Sequence, residues 1–293
     1  MGRPVVAPTA KAPAGRPAQG PRLRPGPVAV VLSLSLIAIV VLFPVAYVAN
    51  YSLIGVESLR SGTSLAFPPS LEPLSEVWRR SGMPLSFANS LIYSGGSVVL
   101  LWLVGSMAAY AGTKMKVRGR NALLFGIVLF LALPLQTILY PLFAQVKDLG
   151  WVNERYGLIV VMTVFGLPLT AFQFAAYFRT LPNEVIEAAK MDGASAWQTL
   201  FRVVLPMSTP VLALTGVSNA LWTWNALFLP LILITKRDQQ TMVVTLAQLQ
   251  GESGVTNSTA AAIAVLGMIP MLAFFLFAQR AIIKGMASGA VRG

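Results

Sequence analysis

The side chains of this chain that could do chemistry are mostly neutral, because cysteine and histidine are both absent from its 293 residues. Their absence excludes disulfides, thiol nucleophiles, imidazole bases and the commonest zinc ligands. The long apolar segments also lack a serine–lysine pair or a carboxylate pair at matching depth, which a membrane enzyme would need. Hydrogen bonding and aromatic contact remain. These residue types predict a protein that binds or transports a solute rather than one that catalyses a covalent reaction. They also predict no metal site.

Six polar or aromatic residues inside the apolar segments are candidates for a substrate path. They are Gln136, Thr137, Asn219, Trp222, Trp224 and Asn225. Amides and hydroxyls both donate and accept hydrogen bonds, and an indole ring offers an apolar face, so the set suits a neutral carbohydrate. The same amides could instead join helices by hydrogen bonds, and the tryptophans could lie at the membrane surface. Both interpretations stay open at this point.

The composition predicts an all-α membrane protein. Hydrophobic residues make up 56% of the chain and charged residues 11%, whereas an average soluble domain has about a quarter charged residues. The net charge of +12 is scattered between apolar segments, which argues against a nucleic-acid partner. Six segments are long enough to cross a hydrocarbon layer of about 30 Å as transmembrane helices. They cover residues 27–50, 90–113, 121–145, 157–178, 211–235 and 259–283.

The charges of the loops predict the orientation in the lipid bilayer. Fifteen lysine and arginine residues fall on one side of the six segments and seven on the other. The positive-inside rule puts the richer side, and with it both termini, in the cytoplasm. Residues 1–26 are predicted to be a disordered basic cytoplasmic arm, and residues 27–293 a transmembrane domain. The first segment is longer than the apolar part of a cleaved signal peptide.

The stretch EAAKMDGASAWQTLFRVVLP, residues 187–206, has the composition of a soluble helical surface although apolar segments lie on both sides. Asn183 is predicted to cap a helix that runs to about Met191. Gly193 can take the left-handed conformation that ends this helix without steric cost. The loop charges place the stretch in the cytoplasm.

A second short helix is predicted to follow directly. Ser195 and Gln198 have the spacing of a capping box at its start, and Pro206 helps to end it. The two helices carry more apolar residues than one face of so short a helix needs. Such a surface needs a cover, which could be the helix ends of the chain itself, the lipid interface or a partner protein.

The residues of this stretch resemble the cytoplasmic loop of the inner-membrane permease subunits of ABC importers. The shared pattern is Glu187-Ala188-Ala189, then Gly193, an aliphatic Val203 and Leu205-Pro206. In that family the loop, here residues 179–210, forms a coupling helix that sits in a cleft of the ATP-binding subunit. By this resemblance the residues that dock the ATPase subunit are Glu187, Ala188, Ala189, Asp192, Gly193, Ala194, Phe201, Leu205 and Pro206.

Further segments resemble the carbohydrate-uptake branch of the family, especially its second maltose-type permease subunit. They are FANSL at 87–91, the stretch 134–150, LPNEVIEAA at 181–189, WNALFLPL at 224–231 and TLAQLQGE at 245–252, within a family core of about 85–285. Ala226 departs from the pattern, because many relatives carry an acid after the tryptophan–asparagine pair. Any role of that acid is absent here.

The resemblance implies a permease subunit of an ATP-driven importer of a neutral carbohydrate in the bacterial cell membrane. Its partners would be a second homologous permease subunit in a heterodimer, two ATP-binding subunits and an extracytoplasmic solute-binding protein. ATP and Mg²⁺ would bind in the partner ATPase, and this chain would hold no cofactor and no catalytic residue.

Two features of the sequence bear on the energy source. No charged residue lies in the middle of the six segments, which disfavours a proton- or sodium-coupled carrier. The chain also lacks the G-x-x-x-x-G-K-[ST] phosphate loop, so ATP hydrolysis would belong to a partner chain. The alternative is an ion-coupled secondary transporter or channel that works without ATPase partners.

Overall fold

The ordered elements of the chain are helices, as predicted. The computed structural model describes residues 26–62, 65–80, 82–116, 118–252 and 254–290, so the predicted basic arm lies outside it apart from Gly26. No strand occurs among the described residues. The α-helices are α1 (Pro27–Tyr51), α2 (Val56–Arg60), α3 (Glu72–Arg80), α4 (Met83–Thr113), α5 (Arg120–Leu129), α6 (Leu135–Asp148), α7 (Arg155–Thr180), α8 (Asn183–Met191), α9 (Ala196–Thr199), α10 (Leu205–Met207), α11 (Thr209–Asn225), α12 (Phe228–Leu233), α13 (Met242–Gln250) and α14 (Asn257–Ala290).

Helix α1 is apolar on all sides. Its side chains from Val28 to Phe43 are exposed wherever the structure describes them, including Leu36 and Ile39. Exposed aliphatic side chains over about 20 residues are typical of a helix that lipid surrounds. The predicted first segment, residues 27–50, is therefore confirmed as a helix long enough to span a membrane.

Four helices are individually long and apolar enough to cross a membrane: α1, α4, α7 and α14. Two bent pairs meet the same test when each pair is taken together, and these are residues 124–132 with 135–148, and 196–207 with 209–225. By length and composition the described residues thus have four candidate spans, or up to six if each bent pair counts as one. The upper number equals the predicted number of segments.

The third predicted segment, 121–145, is not one continuous helix. After α5 the chain makes a short 3₁₀ turn over Phe130–Ala132, and it bends by 110° before α6. Leu133 is extended with φ −82° and ψ 118°, because a residue that precedes proline is pushed away from the helical region. Pro134 then stands as the N-terminal flanking residue of α6. The break lies at the proline within the predicted segment.

The fifth predicted segment, 211–235, is also interrupted. Helix α11 begins two residues earlier than predicted and ends at Asn225. Ala226 is extended, with ψ 125°, and only the six-residue α12 follows. By contrast, α7 and α14 continue through Pro168 and Pro270 as single helices.

The packing between α4, α7 and α11 relies on small residues. A Cβ atom at Gly216 of α11 would lie 2.6 Å from the Trp102 ring of α4, and one at Gly105 of α4 would lie 3.0 Å from Thr170 of α7. The Trp102 indole N–H also donates to the Thr215 hydroxyl at 3.1 Å. Helices in lipid associate through close backbone approach and hydrogen bonds, since lipid removes the hydrophobic drive.

Gly157 in the first turn of α7 gives a test of this close packing. A Cβ atom there would lie 2.6 Å from the backbone oxygen of Trp151, which cannot move away as a side chain could. At Gly126 of α5, by contrast, nothing lies within 4 Å of the added atom. The two glycines therefore form a matched pair within helices.

We expect Gly157→Ala to lower the thermal unfolding midpoint of the purified full-length chain in detergent. Overpacking costs about 1–3 kcal/mol, which exceeds the gain of up to about 1 kcal/mol in helix propensity. Gly126→Ala should leave the midpoint unchanged or raise it, because only propensity acts there. Equal midpoints for both variants would contradict the tight contact between Gly157 and Trp151.

Candidate functional site

Residues 179–210 form a bihelical loop whose turn is closed by the backbone. The Ala194 amide donates to the Ala189 carbonyl and the Gly193 amide donates to the Lys190 carbonyl, both at 3.0 Å. This pair of bonds is a Schellman motif, which needs a left-handed residue after the helix. Gly193 supplies it with φ +79°. The predicted end of α8 at Met191 is confirmed.

The second half of the bihelical loop begins with the predicted capping box. The Ser195 hydroxyl accepts from the Gln198 amide at 3.3 Å, and the Gln198 side-chain oxygen accepts from the Ser195 amide at 2.8 Å. Helix α9 continues through a π-helical turn, Leu200–Val204, into α10. The helical stretch ends at Met207, one residue beyond Pro206, and the chain bends by 83° into α11.

The predicted cap at Asn183 is wrong by one position. Pro182 is the flanking residue of α8, and Asn183 is the first helical residue and makes no capping bond. Its side-chain oxygen accepts instead from Lys114 Nζ at 2.8 Å, and the same ammonium donates to the Leu181 carbonyl at 2.8 Å. Lys114 stands at the end of α4. It ties that end to the first turn of α8.

The Lys114 contact could not be read from sequence spacing, because 67 residues separate it from Leu181. The available signal was only a lysine directly after a predicted span. Partial burial lowers the pKa of Lys114 below its ordinary value, while the Glu184 carboxylate acts in the opposite direction. The cation is therefore a half-buried structural donor in addition to an orientation signal.

One side of the bihelical loop is anchored in the protein. Ile186, Leu200 and Val204 are 4%, 3% and 1% exposed. They belong to a cluster with residues at the ends of α4 and α7 and with others nearby, namely Ala109, Tyr110, Leu124, Phe174, Ala175, Phe178 and Val211. The chain's own helix ends thus cover part of the apolar surface, which was one of the three predicted covers.

The other side of the bihelical loop faces outward and holds the docking residues predicted from the resemblance. Six of them are exposed: Glu187, Ala188, Asp192, Gly193, Phe201 and Pro206. Ala189, Ala194 and Leu205 are half-buried. Around them, Met191 is 87% exposed, and the Trp197 ring stacks on the Phe201 ring with centroids 5.7 Å apart. A partner surface can therefore reach this side.

Two of the six candidate path residues line one cleft. Trp222 and Asn225 lie at the end of α11, and with neighbours that include Leu135 and Phe228 they border a cleft of about 470 Å³. Trp222 is 39% exposed, and the Asn225 amide donates to the Leu221 carbonyl at 2.7 Å and to Met271 Sδ at 3.1 Å. No charged side chain borders this cleft among the described residues.

Gln136 and Thr137 are exposed on the first turn of α6, directly after the 110° bend. The Thr137 hydroxyl donates to the Pro134 carbonyl at 2.6 Å. Their neighbour Leu135 borders the cleft that Trp222 and Asn225 line. The two polar side chains are therefore close to this cleft along the chain but do not border it.

Asn219 and Trp224 face the interior of the helix packing. Asn219 is 4% exposed, and its amide nitrogen donates to the Thr170 hydroxyl and to the Thr215 carbonyl, each at 2.8 Å. This side chain therefore joins α11 to α7. Trp224 is 1% exposed and packs between Phe87 and Phe274, with ring centroids 5.4 and 5.9 Å away.

Comparison with known proteins gives a family match over most of the chain. Residues 101–288 match the family described as "Binding-protein-dependent transport system inner membrane component". The melibiose/raffinose/stachyose import permease protein MelC of Bacillus subtilis is 32% identical over 225 residues, which are 76% of this chain and 82% of that relative. The diacetylchitobiose uptake system permease protein NgcG of Streptomyces coelicolor is 30% identical over 263 residues, which are 88% and 87% of the two chains.

A solved structure has the same fold. It is a chain of a bacterial ABC transporter involved in the import of the acidic polysaccharide alginate. The TM-score is 0.74 at 24% sequence identity, and the match covers 86% of this chain and 95% of that chain.

The two asparagines of α11 lead to a test of their separate roles. We expect Asn219→Ala to lower the thermal unfolding midpoint of the purified chain by the equivalent of about 1–2 kcal/mol, because it removes a buried hydrogen bond between α11 and α7 and another within α11. Asn225→Ala should change the midpoint much less, since that side chain is exposed. Equal losses in both variants would contradict the assignment of Asn219 to helix packing.

Proposed function

Because this chain belongs to the family of binding-protein-dependent transport system inner membrane components, we propose that it is the permease subunit of an ATP-driven importer of a neutral carbohydrate. The bihelical loop carries this proposal. It has one side fixed to the ends of α4 and α7 and the other side open to a partner. The relatives MelC and NgcG are permease proteins for melibiose, raffinose and stachyose and for diacetylchitobiose, which supports a carbohydrate as the transported solute.

The proposed role of the bihelical loop is to receive force from an ATPase subunit. Small side chains at Ala188, Ala189, Gly193 and Ala194 allow another protein surface to approach the backbone closely. Glu187 and Asp192 add exposed carboxylates to this surface. ATP and Mg²⁺ would bind in two such partner subunits, and this chain would contribute no cofactor and no catalytic group.

The translocation path is proposed to lie beside the cleft at Trp222 and Asn225. A flat indole face and an amide match the C–H face and the hydroxyls of a sugar. The absence of charge among the described residues that border the cleft favours a neutral solute. Gln136 and Thr137 are candidates for further contacts. Asn219 and Trp224 are proposed to act only through packing.

The rest of the path is proposed to come from a second, homologous permease subunit in a heterodimer. The loop charges of the sequence would put the bihelical loop and both termini in the cytoplasm. A solute-binding protein would deliver the sugar on the opposite side. Family membership does not favour the alternative of an ion-coupled carrier or channel that works alone.

The left-handed turn at Gly193 supplies a test of the loop's role. In proteoliposomes that hold the chain with its permease, ATPase and binding-protein partners, we expect Gly193→Val to reduce sugar uptake per ATP hydrolysed. A β-branched residue at φ +79° destabilises the native turn by about 1–2 kcal/mol. This lowers the ratio of native to distorted turn roughly five- to thirtyfold. Gly193→Asn should remain close to the native ratio, because asparagine tolerates this conformation. Native coupling in the valine variant would remove the loop from the mechanism.

The cleft at the end of α11 supplies a second test. Trp222→Ala and Asn225→Ala should change the relative uptake of melibiose, raffinose, diacetylchitobiose and trehalose, because each removes a contact that differs among sugars. Trp78→Ala on α3 is the matched control, since Trp78 is 38% exposed and Trp222 is 39% exposed. An unchanged order of preference in both α11 variants would exclude this cleft from the path.

A further inference from the structure

The N-terminal end of α4 carries a stripe of buried polar side chains. Ser86, Asn89, Ser90 and Tyr93 lie at helix spacings of three and four residues, so they share one face. Each is at most 2% exposed. Asn89 and Ser90 belong to the FANSL segment. This segment is part of neither the bihelical loop nor the cleft at Trp222 and Asn225. Buried polar groups of this kind need partners, and their partners define what the stripe does.

All four residues of the stripe have hydrogen-bond partners in one segment of the chain, residues 238–245. The Asn89 amide nitrogen donates to the carbonyls of Asp238 at 2.8 Å and Gln240 at 3.2 Å. The Tyr93 hydroxyl donates to the Gln239 carbonyl at 2.9 Å. Asn89 and Tyr93 therefore bind three consecutive backbone carbonyls, with that of Gln239, bound by Tyr93, in the middle.

Two further bonds extend this contact into α13. The Ser90 hydroxyl accepts from the Met242 amide at 2.9 Å, and the Ser86 and Thr245 hydroxyls are 2.8 Å apart. The TLAQLQGE segment begins at Thr245. The FANSL and TLAQLQGE segments, which resembled the family without an assigned role, are thus held next to each other by bonds from Ser90 to Met242 and from Ser86 to Thr245.

Asn89 also reaches the start of α7. Arg155, the first residue of that helix, donates to the Asn89 side-chain oxygen at 3.1 Å. Both ends of the Asn89 amide are consequently occupied, with its nitrogen on the 238–240 backbone and its oxygen on Arg155. A carboxylate or an alkyl group could not reproduce this set of bonds.

The segment that Asn89 holds borders a polar cleft. Arg237, Gln240, Gln248 and Glu252 are among the residues that line a cleft of about 660 Å³. At the opposite end of the same helix, Lys114 holds the first turn of the bihelical loop. Helix α4 is 31 residues long, which is about 46 Å at 1.5 Å per residue. Helix α4 is therefore bonded at one end to the bihelical loop and at the other to the segment that borders the polar cleft.

We propose that Asn89 is a positioning residue that makes α4 and the segment 238–250 move as one unit, so that movement of the bihelical loop reaches the polar cleft at the far end. This inference rests on the proposed function. The cleft residues are carried by a short segment whose backbone bonds to α4 run through Asn89, Tyr93 and Ser90. Without Asn89, the loop could still move α4, but the segment would keep only its bonds to Tyr93, Ser90 and Ser86, and the polar cleft would follow α4 less closely.

The test compares two buried asparagines in the complete assembly in proteoliposomes. Asn89→Ala should reduce sugar uptake per ATP hydrolysed by about fivefold or more, the lower bound of common coupling effects between sites. Asn219→Ala, an equally buried asparagine that joins α11 to α7, should lower the unfolding midpoint but keep the native ratio. Asn89→Asp should fail like Asn89→Ala, because its carboxylate keeps Arg155 but meets two carbonyl oxygens.

Three results would overturn the proposal. They are a native ratio in Asn89→Ala, a native ratio in Asn89→Asp, and an equal loss of ratio in Asn219→Ala, which would trace the effect to general instability. If Gly193→Val uncouples uptake while Asn89→Ala does not, the proposed function stands and this inference alone fails.

A second measurement keeps Asn89 in place, so it tests the proposal even if the Asn89 variants do not assemble. The sequence has no cysteine, so spin labels can be attached at Leu85→Cys on α4 and Gln250→Cys at the end of α13, both exposed positions. The distance between the labels should stay the same with and without ATP in the assembled importer. A distance that changes with ATP would show that the segment moves independently of α4 and would overturn the proposal.

Discussion

The packing of Ile186, Leu200 and Val204 against the ends of α4 and α7 is the contact on which the account depends. Each of these buried side chains contributes about 1.5–3 kcal/mol relative to exposure. The Schellman turn at Gly193 and the capping box at Ser195 fix the two short helices relative to each other, so the buried residues of both enter the same cluster. An ATPase partner that pushes the open side would push the helix ends directly.

Inside the membrane a different constraint applies, because lipid solvates apolar side chains as well as a protein interior does. The described helices therefore meet through glycines, such as Gly105 and Gly216, and through buried hydrogen bonds, such as that of Asn219. Such contacts are short-ranged and depend on position, which favours movement of whole helices over gradual deformation. The pairing of α4 with α7 then provides a stiff connection between the bihelical loop and the segment 238–250 at the other end of α4.

The sequence predicted the features that depend on neighbouring residues. Ser195 with Gln198 and the left-handed Gly193 are local patterns, and both were predicted correctly. The cap of α8 was predicted at Asn183, one residue too far toward the C-terminus, because Pro182 takes the flanking position. Hydropathy predicted one continuous segment at 121–145 and another at 211–235, because it counts apolar residues and does not register the breaks after Ala132 and after Asn225.

Features that depend on distant residues were beyond sequence reasoning. The same residue type has three fates in this chain: Asn219 joins two helices, Asn225 borders a cleft, and Asn89 holds a loop. Nothing in their immediate neighbours separates these fates, because the partners of the two buried asparagines on other elements lie 49 to 151 residues away. Lys114 illustrates the same point for a charged residue. Its charge contributed to the predicted orientation in the bilayer, but the sequence did not indicate its bonds to Leu181 and Asn183.

The most direct measurement is the distance between spin labels at Met191→Cys on α8 and Lys116→Cys just after α4, both exposed positions, in the assembled importer. If the bihelical loop and the end of α4 form one rigid body, the distance distribution stays the same in the ATP-free and ATP-bound states. A second distribution that appears only with ATP would mean that the loop moves on its own hinge. That result would contradict force transmission through the buried cluster.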